Sequence, residues 1–411
     1  MKKTYLIVLF FLVAFLALQL LAADLQKIAR QQAIVRSGPG IFYEKIASLN
    51  QDETVNVLAE DAGWLKIALA ESAYISSKAL TKPAKVDGIF QQMGSQTTDL
   101  QASRHGLSAG IKGFAAKFTK SKGSFEKFQA IINSNHLDTM LYKKMQREQA
   151  GRYLKKARKA HQLPAISRDQ FSPQEIYLGT AFASNIANMG LYEDKELHSF
   201  LNVFGNIIAS ATEFYDQRFY FYVLDSPKVN AYACPGGIIF LTKGILAATH
   251  NEAELAFVIA HELAHSIKQH GLQEMEERKD LIKSESVFAE MDREFDMLGI
   301  EQDEKIQKVE EELEAELFDF YETVFKGRLE KYEAEADELG ILYIMRSGYA
   351  PQHARNILQR LAQNNIGSTN EHYTQKQLFD RLHNLRQSQF NSANQTNFNI
   401  SNWQNIKAGI R

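Results

Sequence analysis

His261 and His265 stand four residues apart with a glutamate between them, in the run His261-Glu262-Leu263-Ala264-His265. The neighbouring residues predict a helix for this pentad. Asn251-Glu252-Ala253-Glu254 is a helix start, with Asn251 able to cap and Glu254 near the third helical position. Leu255, Val258, Ile259 and Leu263 supply apolar faces at helical spacing, and Gly271 is placed to end the helix. Four helical residues correspond to a rotation of about 40° and a rise of about 6 Å, so both imidazoles project from one face. That separation suits two nitrogens on one Zn²⁺. Glu262 then lies beside the ion without binding it, where it can take a proton from water and pass it to a leaving amine. The pattern is H-E-x-x-H. The bland alternative is a pair of surface histidines flanking a glutamate, and the strength of the predicted helix argues against it.

A catalytic zinc site needs a third protein ligand and one open position. Ser266 to His270 lacks the glycine-containing continuation that would make His270 the third ligand. His270 lies five residues past His265, about 140° around a continuing helix, so it is expected to point away from the metal and to act as a structural or supporting residue. Glu333 is the better candidate, in Tyr332-Glu333-Ala334-Glu335-Ala336-Asp337. Glu333 and Asp337 share one helical face. Glu333 can bind zinc, and Asp337 can accept the hydrogen bond that orients His261 or His265. Glu335 faces elsewhere and reads as a solvated charge. Taken alone, such a pair in an acidic stretch is more often a solvated helix face, and the H-E-x-x-H helix is what makes it credible.

The 411 residues allow two or three domains. Lys2 and Lys3, the apolar run Tyr5 to Leu18 and the small residues before Asp24 make 1–23 a signal peptide or a signal anchor. The break at Gln19 favours cleavage, and no cysteine follows to carry a lipid. The body of the protein is therefore expected outside the cytoplasm, in the periplasm or cell envelope. Residues 28–82 alternate short apolar runs with turn signals such as Ser37-Gly38-Pro39-Gly40 and Asp61-Ala62-Gly63, which predicts about five strands in a small barrel. Residues 84–125 read as a linker and 389–411 as a loosely ordered tail. Between them, 126–388 is mainly helical. Ser172-Pro173-Gln174-Glu175 starts a helix carrying Ile176, Phe182 and Ile186, in which Gly179 implies close helix packing. Short strands are expected at 219–224, 229–233 and 238–241, followed by a helix from about 243. A charged helical insertion spans 272–330.

The formal net charge is -2, from 47 basic and 49 acidic residues. No field of one sign favours a polyanion, and no nucleic-acid-binding signature is present. The single cysteine, Cys234, cannot form an internal disulfide and reads as a small buried hydrophobe.

Two resemblances organise these observations. Val35-Arg36-Ser37-Gly38-Pro39-Gly40, Gly63-Trp64-Leu65-Lys66-Ile67 and Ala73-Tyr74-Ile75-Ser76 resemble the bacterial SH3 module of envelope proteins, with Ala73-Tyr74 in place of the usual Gly-Trp. Such a module implies a peptidoglycan or envelope-protein partner, or a passive spacer. The H-E-x-x-H run, Glu333-Ala334-Glu335-Ala336-Asp337 and Asn230-Ala231-Tyr232-Ala233-Cys234-Pro235-Gly236-Gly237 resemble metallopeptidase family 48, the gluzincins of HtpX and CAAX-prenyl type, in its soluble periplasmic branch. Ile344-Met345-Arg346-Ser347-Gly348-Tyr349-Ala350-Pro351 matches the end of that family's second metal helix. The resemblance covers about 170–385. It implies one Zn²⁺ per chain on His261, His265 and Glu333, Glu262 as general base, and Asp337 supporting the ligands. It also implies a substrate-binding strand at Asn230, Ala231, Tyr232 and Ala233, followed by Pro235, Gly236 and Gly237. Pairing through main-chain groups reads backbone rather than side chains, which suits unfolded substrates. Soluble members often carry a later His-Pro pair shortly before an arginine. Here the nearest match is His372-Tyr373, with Arg381 beyond. His372 is a candidate for closing the open metal position or stabilising an oxyanion, against the alternative of a surface histidine.

The expected architecture is thus multidomain: a small all-β SH3-like barrel, then a mainly α zincin-like metallopeptidase domain with a short sheet. The expected function is an exported zinc endopeptidase that hydrolyses misfolded or misassembled envelope proteins. The alternatives are a zinc-fold chaperone or scaffold with little proteolysis, and an SH3-mediated cell-wall-binding protein.

Overall fold

The computed structural model describes residues 24–82, 124–148, 157–164, 168–274, 329–363, 375–385 and 403–410. The N-terminal segment 1–23, nearly all of the expected linker, the insertion from 275 to 328 and His372 lie outside the described residues. The chain divides into two compact units.

The N-terminal unit is one antiparallel sheet of six strands, one more than the periodicity suggested. They are β1 (Asp24–Lys27), β2 (Gln32–Arg36), β3 (Lys45–Asn50), β4 (Thr54–Asp61), β5 (Trp64–Ile67) and β6 (Tyr74–Ser76), in the order β1-β4-β5-β6-β2-β3. Alternation along β2 sends Ala33 and Val35 inward, where they meet Ile28, Leu49, Val55, Leu65, Ile67 and Ile75. The Asp61-Ala62-Gly63 turn forms as read: Asp61 pairs with Trp64, and Ala62 (φ 51) and Gly63 (φ 85) make a two-residue loop with both φ positive, the twist that suits a hairpin. Ala73, where the resemblance would have glycine, is wholly buried in this core.

The second unit opens with α1 (Ser124–Ser134), α2 (Thr139–Glu148), α3 (Pro173–Ala187) and α4 (Lys195–Ala209). A three-stranded sheet follows: β7 (Tyr220–Leu224), β8 (Ala231–Cys234) and β9 (Ile238–Thr242), in the order β7-β9-β8. Next come α5 (Lys243–Ala248), α6 (Glu252–Lys268), α7 (Glu330–Arg346), α8 (Gln352–Gln363), α9 (Gln375–Asn384) and α10 (Trp403–Ala408). β9 is the central strand, parallel to β7 and antiparallel to β8, and all five of its residues are buried, as a continuous apolar run requires. Phe128, Phe182, Tyr222 and Cys234 pack in one core with Ile238 and Phe240 of β9. Among the described residues, no helix is long and apolar enough to cross a membrane.

The two edges of this sheet are treated differently. The outer edge of β7 is occupied by side chains. The amide of Asn206 accepts from Phe219 N (3.1 Å) and donates to Phe219 O (2.8 Å), and Asn202 does the same at Phe221 (3.2 and 2.7 Å). His198 Nε2 accepts from Val223 N at 3.2 Å, and Tyr192 N donates to Val223 O at 2.9 Å. One helix thus caps a strand edge that would otherwise invite pairing. β8 is the other edge, and no described strand lies beyond it.

Three local expectations are corrected. Gly179 does permit close packing, but against a turn: a Cβ there would lie 1.7 Å from Pro235 O. The Pro235–Gly237 turn, with Gly236 (φ 73) and Gly237 (φ 85), therefore seats directly on α3. Ile176 is exposed, and Leu178 takes the buried face with Phe182 and Ile186. The tail is not loose at 403–408, because Trp403 is buried, stacks on Phe200 and donates to Thr249 Oγ1 at 3.2 Å.

Candidate metal centre

α6 forms for the reasons legible in its sequence. Asn251 caps it by accepting from Glu254 N at 3.0 Å, and Glu252 and Glu254 place negative charge in the first turn, where the helix dipole favours it. Arg360 of α8 pairs with both oxygens of Glu254 (2.5 and 2.8 Å) and fixes that end. Every residue from Glu252 to Ile267 is buried, so α6 is the central helix of this unit.

His261 and His265 converge as the spacing requires, their Nε2 atoms 3.0 Å apart. α7 lies against α6 because Gly340 has no side chain: a Cβ there would lie 3.2 Å from His261 N and 3.3 Å from its Cα. This approach brings Glu333 to the pair, Oε2 at 3.4 Å from His261 Nε2 and Oε1 at 3.3 Å from His265 Nε2. One ligand atom from each of the three residues lies within 4.8 Å of the others, and all three side chains are buried.

The donor set fits Zn²⁺. Two imidazoles and one carboxylate are the donor set of catalytic zinc sites, in which a fourth position is left to water or substrate. Glu333 is 4% exposed, and its oxygens face both imidazole Nε2 atoms at 3.3 and 3.4 Å, with Arg381 Nη1 at 3.0 Å from Oε2, a placement that lets the carboxylate share a cation with the two rings.

Behind the ligands, Asp337 Oδ1 lies 2.9 Å from His261 Nδ1, so Asp337 supports His261 of the two candidates. Arg381 of α9 completes this arrangement. Its Nε and Nη2 donate to both oxygens of Asp337 (2.9 and 2.7 Å), and its Nη1 lies 3.0 Å from Glu333 Oε2. Burial pushes the Asp337 carboxyl up, but Arg381 and the His261 ring outweigh it and hold the group below its ordinary value. Glu333 is likewise held well below the carboxylate range, burial being outweighed by Arg381 and the two histidines. Burial and Arg381 push His261 down, and hydrogen bonding to Asp337 and Glu333 outweighs them, leaving it raised to about 9.

His270 departs from its expected direction. α6 stops at Lys268, and Gln269 takes the left-handed conformation (φ 58, ψ 32), so Gly271 is not the stop. The 140° offset holds only along a continuing helix. The break turns the His270 ring back, and its Nδ1 lies 2.9 Å from His265 Nδ1. Glu335 is also not simply a solvated charge. It is partly exposed, but its carboxylate lies 3.2 Å from His270 Nε2 and 2.7 Å from Lys268 Nζ. The His270 hydrogen bond outweighs burial and, with Lys268, lowers Glu335 to about 2.

Glu262 is buried and, with His261 and Arg381, lines an apolar cleft whose walls include Phe257, Val258, Leu358 and Leu378. Asn230 and Ala231, at the start of β8, line the same cleft. Tyr232 and Ala233 pair with Phe240 and Ile239, and Cys234 is buried in the core with its carbonyl accepting from Ser266 Oγ at 3.3 Å. Arg381 entered the sequence reading only as a spacing match. Its signal was present: Leu378, Arg381 and Leu385 fall at steps of three and four on one stripe, and all three are buried.

Two histidines four apart on one helix with a glutamate between them, joined by a distant glutamate, are the pattern of the gluzincin class of metallopeptidase. Comparison with known proteins agrees with this. Family models match two stretches of the chain: peptidase family M48 over residues 193–389 and the bacterial SH3 domain over residues 32–81. It is similar to the β-barrel assembly-enhancing protease of Yersinia pestis, 28% identical over 197 residues, covering 46% of this chain and 38% of that protein. The protein of the same name from Escherichia coli K12 is 26% identical over 195 residues, 46% of this chain and 37% of the relative. Mitochondrial metalloendopeptidase OMA1 of Bos taurus is 35% identical over 52 residues, 13% of this chain and 10% of the relative. The chain thus spans under two fifths of the length of the β-barrel assembly-enhancing proteases it matches.

Proposed function

We propose that this chain is an exported zinc metalloendopeptidase that hydrolyses peptide bonds in misfolded or misassembled envelope proteins. The observation that carries the reading is the meeting of four features at one cleft: His261 of the His261, His265 and Glu333 cluster, Glu262, Arg381 and the start of β8, an edge of the described sheet. One Zn²⁺ bound by the three ligands would supply Lewis acidity to a scissile carbonyl and to water. Glu262, next in sequence to a ligand and buried at the cleft, takes the proton of the attacking water and delivers it to the leaving amine. Asp337 and Arg381 hold His261 and Glu333 so that ligand geometry costs little rearrangement. β8 is an edge of the described sheet, so an extended substrate can pair there through its main chain, at Ala231 in exchange for the bond its N–H makes to Asn230 Oδ1 at 2.9 Å. The apolar walls of the cleft favour hydrophobic side chains, which unfolded proteins expose.

The name of the relatives, β-barrel assembly-enhancing protease, supports envelope substrates. The N-terminal pattern supports export, with retention at the membrane if the segment is not cleaved. We assign the SH3 domain to a peptidoglycan or envelope-protein partner.

The test is hydrolysis of an unfolded casein-like substrate by protein supplied with zinc. Glu262→Gln is expected to abolish chelator-sensitive cleavage while retaining about one zinc per chain, and Glu333→Ala to lose the metal. Full activity in Glu262→Gln, or full zinc in Glu333→Ala, would refute the mechanism.

A further inference from the structure

The two histidine ligands are supported unequally. His261 has a carboxylate directly on its Nδ1, whereas His265 has another imidazole, that of His270, at 2.9 Å. His270 is fully buried, packs against the Tyr332 ring at 4.9 Å and reaches Glu335 with its other nitrogen at 3.2 Å. Glu335 is anchored by Lys268 at 2.7 Å.

One proton arrangement satisfies this chain. His265 directs Nε2 to the ligand cluster, so its ring proton is on Nδ1. His270 Nδ1 must then accept, which puts the His270 proton on Nε2, and that N–H donates to the Glu335 carboxylate. The reverse direction would place an N–H of His265 on the nitrogen facing Glu333 and the metal position. Only the first arrangement leaves that nitrogen's lone pair for a cation.

We propose that His270 and Glu335 are positioning residues that fix the metal-binding tautomer of His265 through a carboxylate–imidazole–imidazole relay, and so set the affinity of the site for its divalent cation. This rests on the zinc reading above. The relay crosses between helices: His270 follows the end of α6, and Glu335 lies on α7 half a turn from Glu333. Ligand orientation on one helix is therefore set by a carboxylate on the other, through groups that touch no substrate.

The experiment measures Zn²⁺ dissociation constants by chelator competition for wild type, His270→Phe and Glu335→Gln, with ¹⁵N-histidine spectra of the zinc-loaded wild type. His270→Phe keeps the ring packing and removes the acceptor, and is expected to weaken zinc binding about 10- to 100-fold. Glu335→Gln keeps an acceptor and the bulk but loses the charge, and is expected to give a smaller weakening in the same direction. Glu335 is partly exposed, so this variant carries the test if His270→Phe fails to fold. The spectra should show a proton on His265 Nδ1, none on His270 Nδ1 and one on His270 Nε2. Wild-type affinity in folded Glu335→Gln and His270→Phe, or a protonated His270 Nδ1, would overturn the relay and leave the zinc reading standing. Absence of zinc binding in wild type would overturn both.

Discussion

Gly179→Ala tests whether the strand beside the metal cleft is held in place by backbone contact. The added Cβ would lie 1.7 Å from Pro235 O and 2.6 Å from Pro235 C, whereas real Cβ contacts do not fall below 3.0 Å. The two backbones must part by at least about 1.3 Å, and no flexible side chain is present to give way instead. Forcing volume into such a contact costs about 1–3 kcal/mol. In a unit of this size that is a fall in Tm of about 2–4 °C per kcal/mol. Pro235 directly follows β8, so the shift should displace the edge on which we place the substrate. A misplacement of about 1 Å can cost about 100-fold in rate. The assay is kcat/KM on unfolded casein at matched zinc occupancy, with zinc content and the melting curve measured on the same samples. The expected result is a folded, zinc-loaded protein with kcat/KM lower by about 10- to 100-fold. Wild-type kcat/KM would show that β8 does not position the substrate, and loss of zinc would show that the turn supports the metal helices instead.

Other consequences follow from the buried polar groups. Asp337→Asn should weaken zinc binding about 10- to 100-fold and lower stability by about 1–3 kcal/mol, because the buried Arg381 keeps Glu333 at 3.0 Å but loses one acceptor and the charge of its bidentate partner; chelator competition and denaturant unfolding read the two effects. Asn206→Leu leaves the N–H and C=O of Phe219 without their side-chain partner, and should cost about 1–3 kcal/mol in urea unfolding with little change in zinc affinity. His198 is held below its ordinary value of 6.5 by burial, partly opposed by Asp194, and its neutral Nε2 accepts from Val223 N. The folded state therefore prefers neutral His198. Its contribution is intact above pH 6.5 and is lost as pH falls through the depressed folded value. Thermal melts from about pH 7.5 to about pH 5 should show a smaller acid loss in His198→Gln than in wild type, and equal losses would refute this assignment.

The sequence by itself determined the elements that depend on neighbours along the chain. The cap at Asn251, the four-residue step from His261 to His265, the capping box at Ser172 and the apolar run of β9 all obey local rules, and each formed where its residues predict. Glu333 and Asp337 were legible for the same reason, as a second four-residue step on a helix. The tertiary structure decided what depends on residues brought together from far along the chain. Arg381 reaches His261 across 120 positions, and no periodicity predicts that contact. The capping of β7 by Asn202 and Asn206, which leaves β8 as the edge with no described strand beyond it, requires α4 to lie against a strand whose pairing depends on residues far along the chain. The end of α6 shows the competition most directly. Local preference favoured a stop at Gly271, but the chain adopts the left-handed state at Gln269, a cost of about 1–2 kcal/mol for a residue with a Cβ. The break directs His270 onto His265 and Glu335, and those buried polar contacts offset what the backbone gives up. The metal helix could thus be read from its residues, while the groups that orient its ligands required the fold.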